Sequence, residues 1–146
     1  MRFVILAIFI TCAPLLRAQQ SAPNEEVPSV TARSQALELA GAFANDGFKI
    51  RDGFWGGAIE AKKPQFLQVN LFAGNAYWFS ASVVGIGRKL SLSIATDAGQ
   101  PVQGDTFQSE QSVAFGFVPQ VSGRYFVRLE LTTGEKSDFA LVYSYK

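Results

Sequence analysis

Histidine is absent from the 146 residues, and cysteine occurs once, at Cys12. Without an imidazole there is no Ser-His-Asp or Cys-His nucleophilic system, because each needs a group that takes and returns a proton near neutral pH. Zinc sites built from His and Cys are excluded on the same ground. The phosphate-loop and dinucleotide signatures are missing too: Gly85-Ile86-Gly87 lacks the third glycine and the following helix that such loops need. An excess of charge is also lacking. With 13 basic and 12 acidic residues the net charge is +1, and the basic residues are scattered along the chain. Nucleic-acid binding needs a concentrated basic face, so these counts argue against nucleic acid as a partner.

What is present begins with an export signal. Arg2 precedes the apolar stretch Phe3–Ile10, and Leu16-Arg17-Ala18 resembles a small-residue cleavage site. Residues 1–18 therefore read as a signal peptide cut after Ala18, with Cys12 a residue of its apolar core. The apolar run is shorter than the ~20 residues of a membrane helix, so no membrane span is expected after cleavage; an uncleaved anchor is the alternative. Losing Arg2 and Arg17 takes the basic residues from 13 to 11 against 12 acids. The expected destination is the periplasm or the exterior. A mature chain without cysteine must draw its stability from its core rather than from disulfides. Its length suits one core and not two.

Gln19–Val30, with Pro23, Pro28, Glu25 and Glu26, reads as a flexible tether. The single domain is then expected over residues 31–146. Ser34–Asn45 carries the one helical pattern, with Ala36, Leu37, Ala40, Phe43 and Ala44 at helical spacing. Thr31 or Ser34 is placed to cap it, and Asp46-Gly47 to stop it. Its apolar stripe is expected to pack on a sheet edge or end. From Phe48 the period becomes two. Alternating strands are expected over 48–51, 56–60, 64–72, 76–84, 89–94, 113–117, 125–131 and 139–145, with a polar excursion over Gln100–Glu110. Short alternating strands at regular spacing, separated by turn residues, predict an all-β antiparallel sandwich or barrel with a short N-terminal helix. One polar face per strand predicts half-solvated sheets.

The stretch from about Gln65 to Tyr145 resembles the bacterial pre-peptidase C-terminal domains, which are β-sandwich modules of secreted proteins. The resemblance rests on three blocks: Val69–Phe79 (VNLFAGNAYWF), Leu90–Gly99 (LSLSIATDAG) and Ser122–Leu129 (SGRYFVRL). It covers somewhat more than half of the mature chain. The resemblance implies a jelly-roll-like sandwich acting as an accessory or ligand-binding module, in some relatives with calcium. Within these residues no catalytic domain is expected beside the module.

Three groups of residues are candidates for chemistry. Phe54, Trp55 and Trp78 are large rings near glycines, and exposed rings stack on sugars or grip proteins. Trp78 falls on the face opposite Tyr77 and Phe79, among Ser80 and Ser82; the same rings would equally serve as core or helix-docking groups. Arg88 is a candidate supporting cation, and Arg88, Lys89, Arg124 and Arg128 would gather a basic patch if their strands are neighbours. Asp97, Asp105 and Glu110 flank the polar excursion as candidate oxygen ligands for calcium. Asp97-Ala98-Gly99 is also what a plain turn prefers. No other cofactor is implied. Carboxylate-only hydrolysis would need a pair among Asp52, Glu60, Asp97, Asp105, Glu110, Glu130 and Asp138, and no spacing singles one out. The reading is a non-catalytic exported binding module for a protein or glycan of the cell envelope. The alternatives are a carbohydrate- or calcium-dependent binder and a small carboxylate hydrolase.

Overall fold

The computed structural model describes residues 27–146, with side chains from residue 30. The expected signal peptide and the tether up to residue 26 lie outside the described residues. The chain opens with α1 (Val27–Gly41) and a single 3-10 turn, Ala44–Asp46. It continues as β1 (Lys49–Ile50), β2 (Trp55–Glu60), β3 (Gln65–Leu71), β4 (Tyr77–Val83), β5 (Lys89–Thr96), β6 (Asp105–Gln108), β7 (Ser112–Phe117), β8 (Gly123–Thr133) and β9 (Lys136–Tyr145).

Every pairing between these strands is antiparallel, and the strands form two packed sheets. The large sheet runs β1-β9-β4-β7-β6, with β2 also on β9; the small one is β3-β8-β5. β1 and β2 lie along the same edge of β9, since Lys49 faces Tyr145 and Trp55 faces Leu141. The alternation predicted from sequence places the core. Tyr77, Phe79, Ala81 and Val83 of β4 meet Leu90, Leu92 and Ile94 of β5 and Tyr125, Val127, Leu129 and Leu131 of β8 in one buried cluster. The described residues form an all-β sandwich with one α-helix.

Four local features differ from the sequence expectation. The helix starts at Val27, inside the expected tether. Pro28 is compatible with this because a first-turn residue needs no N–H bond. It also ends earlier, at Gly41, and Asp46-Gly47 closes the 3-10 turn instead. There Gly47 takes φ 87°, which glycine adopts without strain, and its N–H reaches the Ala44 carbonyl. The polar excursion contains an additional edge strand, β6, whose four residues are all exposed. It forms by pairing with β7 and has no alternating pattern to announce it.

The fourth difference concerns the helix's seat. It packs on the outer face of the large sheet, across β4 and β9, rather than on an edge or end. Ala32, Ala36 and Ala40 are completely buried against Ala140 and Val142. The floor beneath them is completed by Ser80, Ser82 and Ser144, all at 0 % exposure. Alternation told which residues of β4 point away from the core, but not that a helix covers them. Small residues on both surfaces let helix and sheet approach closely, which compensates for the lack of large apolar side chains.

Candidate functional site

The sequence-expected residues lie in four places. Trp78 projects from β4 on the helix side and stacks on Phe43, with ring centroids 4.2 Å apart and planes 8° from parallel. Gly116 on the neighbouring strand makes room for it: a Cβ there would lie 2.5 Å from the indole. Trp78 thus anchors the turn after α1, half-buried beside a surface groove of about 520 Å³ that Asp105, Gly104 and Lys146 also line. Arg88, in the β4–β5 connection, donates from Nε to the Lys136 carbonyl at 2.9 Å. It pins that connection to the start of β9, far from both tryptophans.

The three acids expected near the polar excursion do not converge. Asp97, just past β5, is held by Arg124 through two bonds, Nε–Oδ1 at 2.7 Å and Nη2–Oδ2 at 3.1 Å. The bond from Arg124, foremost, holds its carboxyl below the usual carboxylate value. Asp105 and Glu110 lie at opposite ends of the β6–β7 hairpin, because Asp105 pairs with Gly116 whereas Glu110 is in the turn. Among the described residues, no three acids gather in a way that would hold a metal ion. The four basic residues divide likewise. Arg124 and Arg128 share one face of β8, with Arg128 paired to Glu130 at 2.7 Å, while Arg88 and Lys89 stand at the other end of the sandwich.

Phe54 and Trp55 do lie at a cleft. The large sheet is wider than the three-stranded sheet above it. At one end of their shared edge the two sheets are closed by the tight turn between β2 and β3, where Lys63 pairs with Glu60 at 2.6 Å. At the other end, where β2 begins and β3 finishes, core-facing rings are left partly uncovered. Trp55 lies over Tyr143, with centroids 5.8 Å apart and planes 20° from parallel. Tyr143 meets Tyr77 edge-on at 6.1 Å. The exposed Arg51 places its guanidinium 5.3 Å from the Tyr143 ring centre, and its backbone N–H bonds the Tyr143 carbonyl at 2.9 Å. The cleft continues past Arg51 as a space of about 290 Å³ lined by Asn70, Phe72, Asn75, Tyr77, Tyr143 and Tyr145 as well as Arg51. On the Trp55 side a smaller hollow of about 190 Å³ includes Asp52 and Phe54. Phe54 itself turns toward the helix, where the Arg33 guanidinium lies 4.5 Å from its ring centre.

The hydrogen bonding of this cleft is one-sided. The Tyr77 hydroxyl accepts from the Phe72 N–H at 3.0 Å and from the Asn75 carboxamide at 3.3 Å. Both lone pairs are then taken, and its own proton is left to donate. Burial, the largest influence, raises the Tyr143 pKa above the ordinary phenol value, against the lowering effect of Arg51. Tyr143 is therefore a neutral phenol throughout the physiological range. Among the described residues Arg51 makes no ion pair.

Sequence reasoning missed Arg51, Asn70, Asn75 and the tyrosines as site residues. Alternation assigned Lys49 and Arg51 to a solvent face opposite Phe48 and Ile50. The register instead places Lys49 across from Tyr145, on the side of the core rings. Phe48 goes to the helix side, where it meets Phe43 at 6.5 Å. The signal available was a pair of cations alternating into a strand that ends at a turn, beside a C-terminal Tyr-x-Tyr.

A second surface lies on the outer face of the small sheet. Phe66 is 62 % exposed, and with Phe126, Ala95 and Arg128 it lines a shallow groove of about 430 Å³.

No family model matches this chain, and no curated protein matches it. Among solved structures, it is similar to PliG from Aeromonas hydrophila, a periplasmic lysozyme inhibitor of g-type lysozyme. The identity is 11%, the TM-score 0.46, and the match covers 64% of this chain and 85% of that one.

Proposed function

We propose that this chain is a non-catalytic binding module, exported through its N-terminal signal, that holds its ligand at the open end of the sandwich. The observation that carries this reading is the cleft where the wider sheet outruns the narrower one. There Trp55, Tyr143 and Tyr145 are backed by a rigid core and accompanied by an unpaired guanidinium. Rings held by a packed scaffold bind at low conformational cost, since little freedom is lost on association. The acids that hydrolysis would require are in part committed elsewhere: Glu60 to Lys63, Asp97 to Arg124 and Glu130 to Arg128. The blocks that resemble pre-peptidase C-terminal domains support an accessory role of the same kind.

The test is a combined carbohydrate and peptide array probed with the exported protein and its Trp55→Ala variant. Retention of a defined ligand by the parent, lost in the variant with thermal stability maintained, is the expected result. Retention that is insensitive to Trp55→Ala but lost in Phe66→Ala would move the site to the outer face of the small sheet. That outcome would favour a second reading, in which the Phe66–Phe126 groove docks a protein partner. Turnover of any arrayed compound would overturn the non-catalytic assignment.

A further inference from the structure

Resting on the reading of the open end as a binding site, we infer that its ligand is a saccharide carrying a carboxylate, with the acid group on Arg51 and the sugar face against Tyr145. Four observations on the page converge on this chemistry. The cleft of about 290 Å³ is lined by one guanidinium, three tyrosines, two carboxamides and a phenylalanine, and by no carboxylate. Asp52, the nearest acid in sequence, lines the hollow on the other side of Arg51. The Tyr77 hydroxyl is already an acceptor twice over, so the bond it has left to make is one that it donates. Lys49 stands opposite Tyr145 in the strand register, which places a second basic residue on the neighbouring strand.

A site with an unpaired cation and no carboxylate in its lining is matched by an anion rather than by another cation. A guanidinium receives a carboxylate through two parallel bonds, which fixes the orientation of whatever carries it. The rest of the lining narrows the carrier. Tyr145, the exposed one of the three tyrosines, presents a flat apolar face that suits the C–H face of a pyranose, while Asn70 and Asn75 can each donate to and accept from ring hydroxyls. The volume is at the small end of ligand sites, which run roughly 300–1,000 Å³. It therefore fits a sugar residue or two.

The experiment titrates the exported protein calorimetrically with trigalacturonate and with its methyl ester, which keeps the rings and removes the charge. The acid is expected to bind about tenfold or more tightly than the ester, as a charge-assisted bidentate contact would give. Arg51→Gln should abolish that preference, with the melting temperature unchanged because Arg51 is exposed. Tyr77→Phe, which keeps the ring in the core and removes the hydroxyl together with its bonds to the Phe72 N–H and the Asn75 carboxamide, should weaken the acid more than the ester and serves as the second variant. Equal binding of acid and ester, or a preference that survives Arg51→Gln, overturns the carboxylate assignment. If neutral sugars still require Trp55 in that case, the open end stands as the site. An acidic peptide that binds through Arg51 while neither saccharide binds would overturn the sugar and retain the anion. Absence of any ligand that depends on Trp55 or Arg51 would overturn both this inference and the reading it rests on.

Discussion

The serine hydroxyls on the helix side of the large sheet show how differently one residue type can behave. Ser82 and Ser112 share a hydrogen bond at 2.6 Å, whereas the buried Ser80 and Ser144 hydroxyls have no partner among the described residues. A buried donor without a partner costs ~1–3 kcal/mol relative to one that is satisfied. Ser80→Ala should accordingly leave stability unchanged or raise it by about 1 kcal/mol, while Ser82→Ala strands the Ser112 hydroxyl and should lower it; paired urea titrations decide. Gly116 is the opposite case, a residue whose value lies in having no side chain. Gly116→Ala should cost about 1–3 kcal/mol by overpacking, and much less in a Trp78→Leu background, because the clash is with that indole. Asp97 sets a pH dependence. Its carboxyl is held below the ordinary 3.8 by Arg124, so the folded state takes up the proton less readily than the unfolded one. The stabilisation is present above that ordinary value and disappears as pH falls through the lower folded one. The stability difference between the parent and Asp97→Asn should thus be flat from neutral pH down to about 5 and shrink below about 4. It should also fall with added salt, since the pair is exposed.

At the scale of elements, what could be read from sequence followed from periodicity and what could not followed from context. The strands were legible because Leu67, Val69 and Leu71, or Tyr125, Val127 and Leu129, repeat every second residue with turn chemistry between them. Strand β6 was not, because an edge strand exposed on both faces has no period to display. The helix was legible, but its seat was not. Its buried stripe is alanine at every fourth position, too small to predict a central docking, and only its partner surface of serines and alanines makes the fit intelligible. That fit predicts a low tolerance for bulk. Ala36→Leu should lower stability by about 1–3 kcal/mol, read as a fall of several degrees in Tm. Leu39→Ala, on a less buried part of the helix, should cost less than the Ala36 change.

For the molecule as a whole, binary patterning predicts a sandwich, but not how wide each of its sheets is. The site follows from that width. Because six strands face three, the edge formed by β1 and β2 projects beyond β3, and the core cannot cover all of its own rings there. Trp55 was identifiable as a candidate from its glycine-rich surroundings. Arg51 and the tyrosines were not, because the sequence does not show that a polar strand end and a C-terminal strand meet at the open end. Trp78 and Arg88, equally prominent in the sequence, serve the fold through Phe43 and the Lys136 carbonyl.

The most direct measurement is amide shift mapping by NMR on the isotopically labelled protein, titrated with the ligand that the array retains. Binding at the open end predicts shifts confined to residues 51–55, 70–77 and 141–145, with the helix and the outer face of the small sheet unmoved. Shifts centred on Phe66, Phe126 and the loop from Asp97 to Pro101, or none at saturating ligand, would contradict the account.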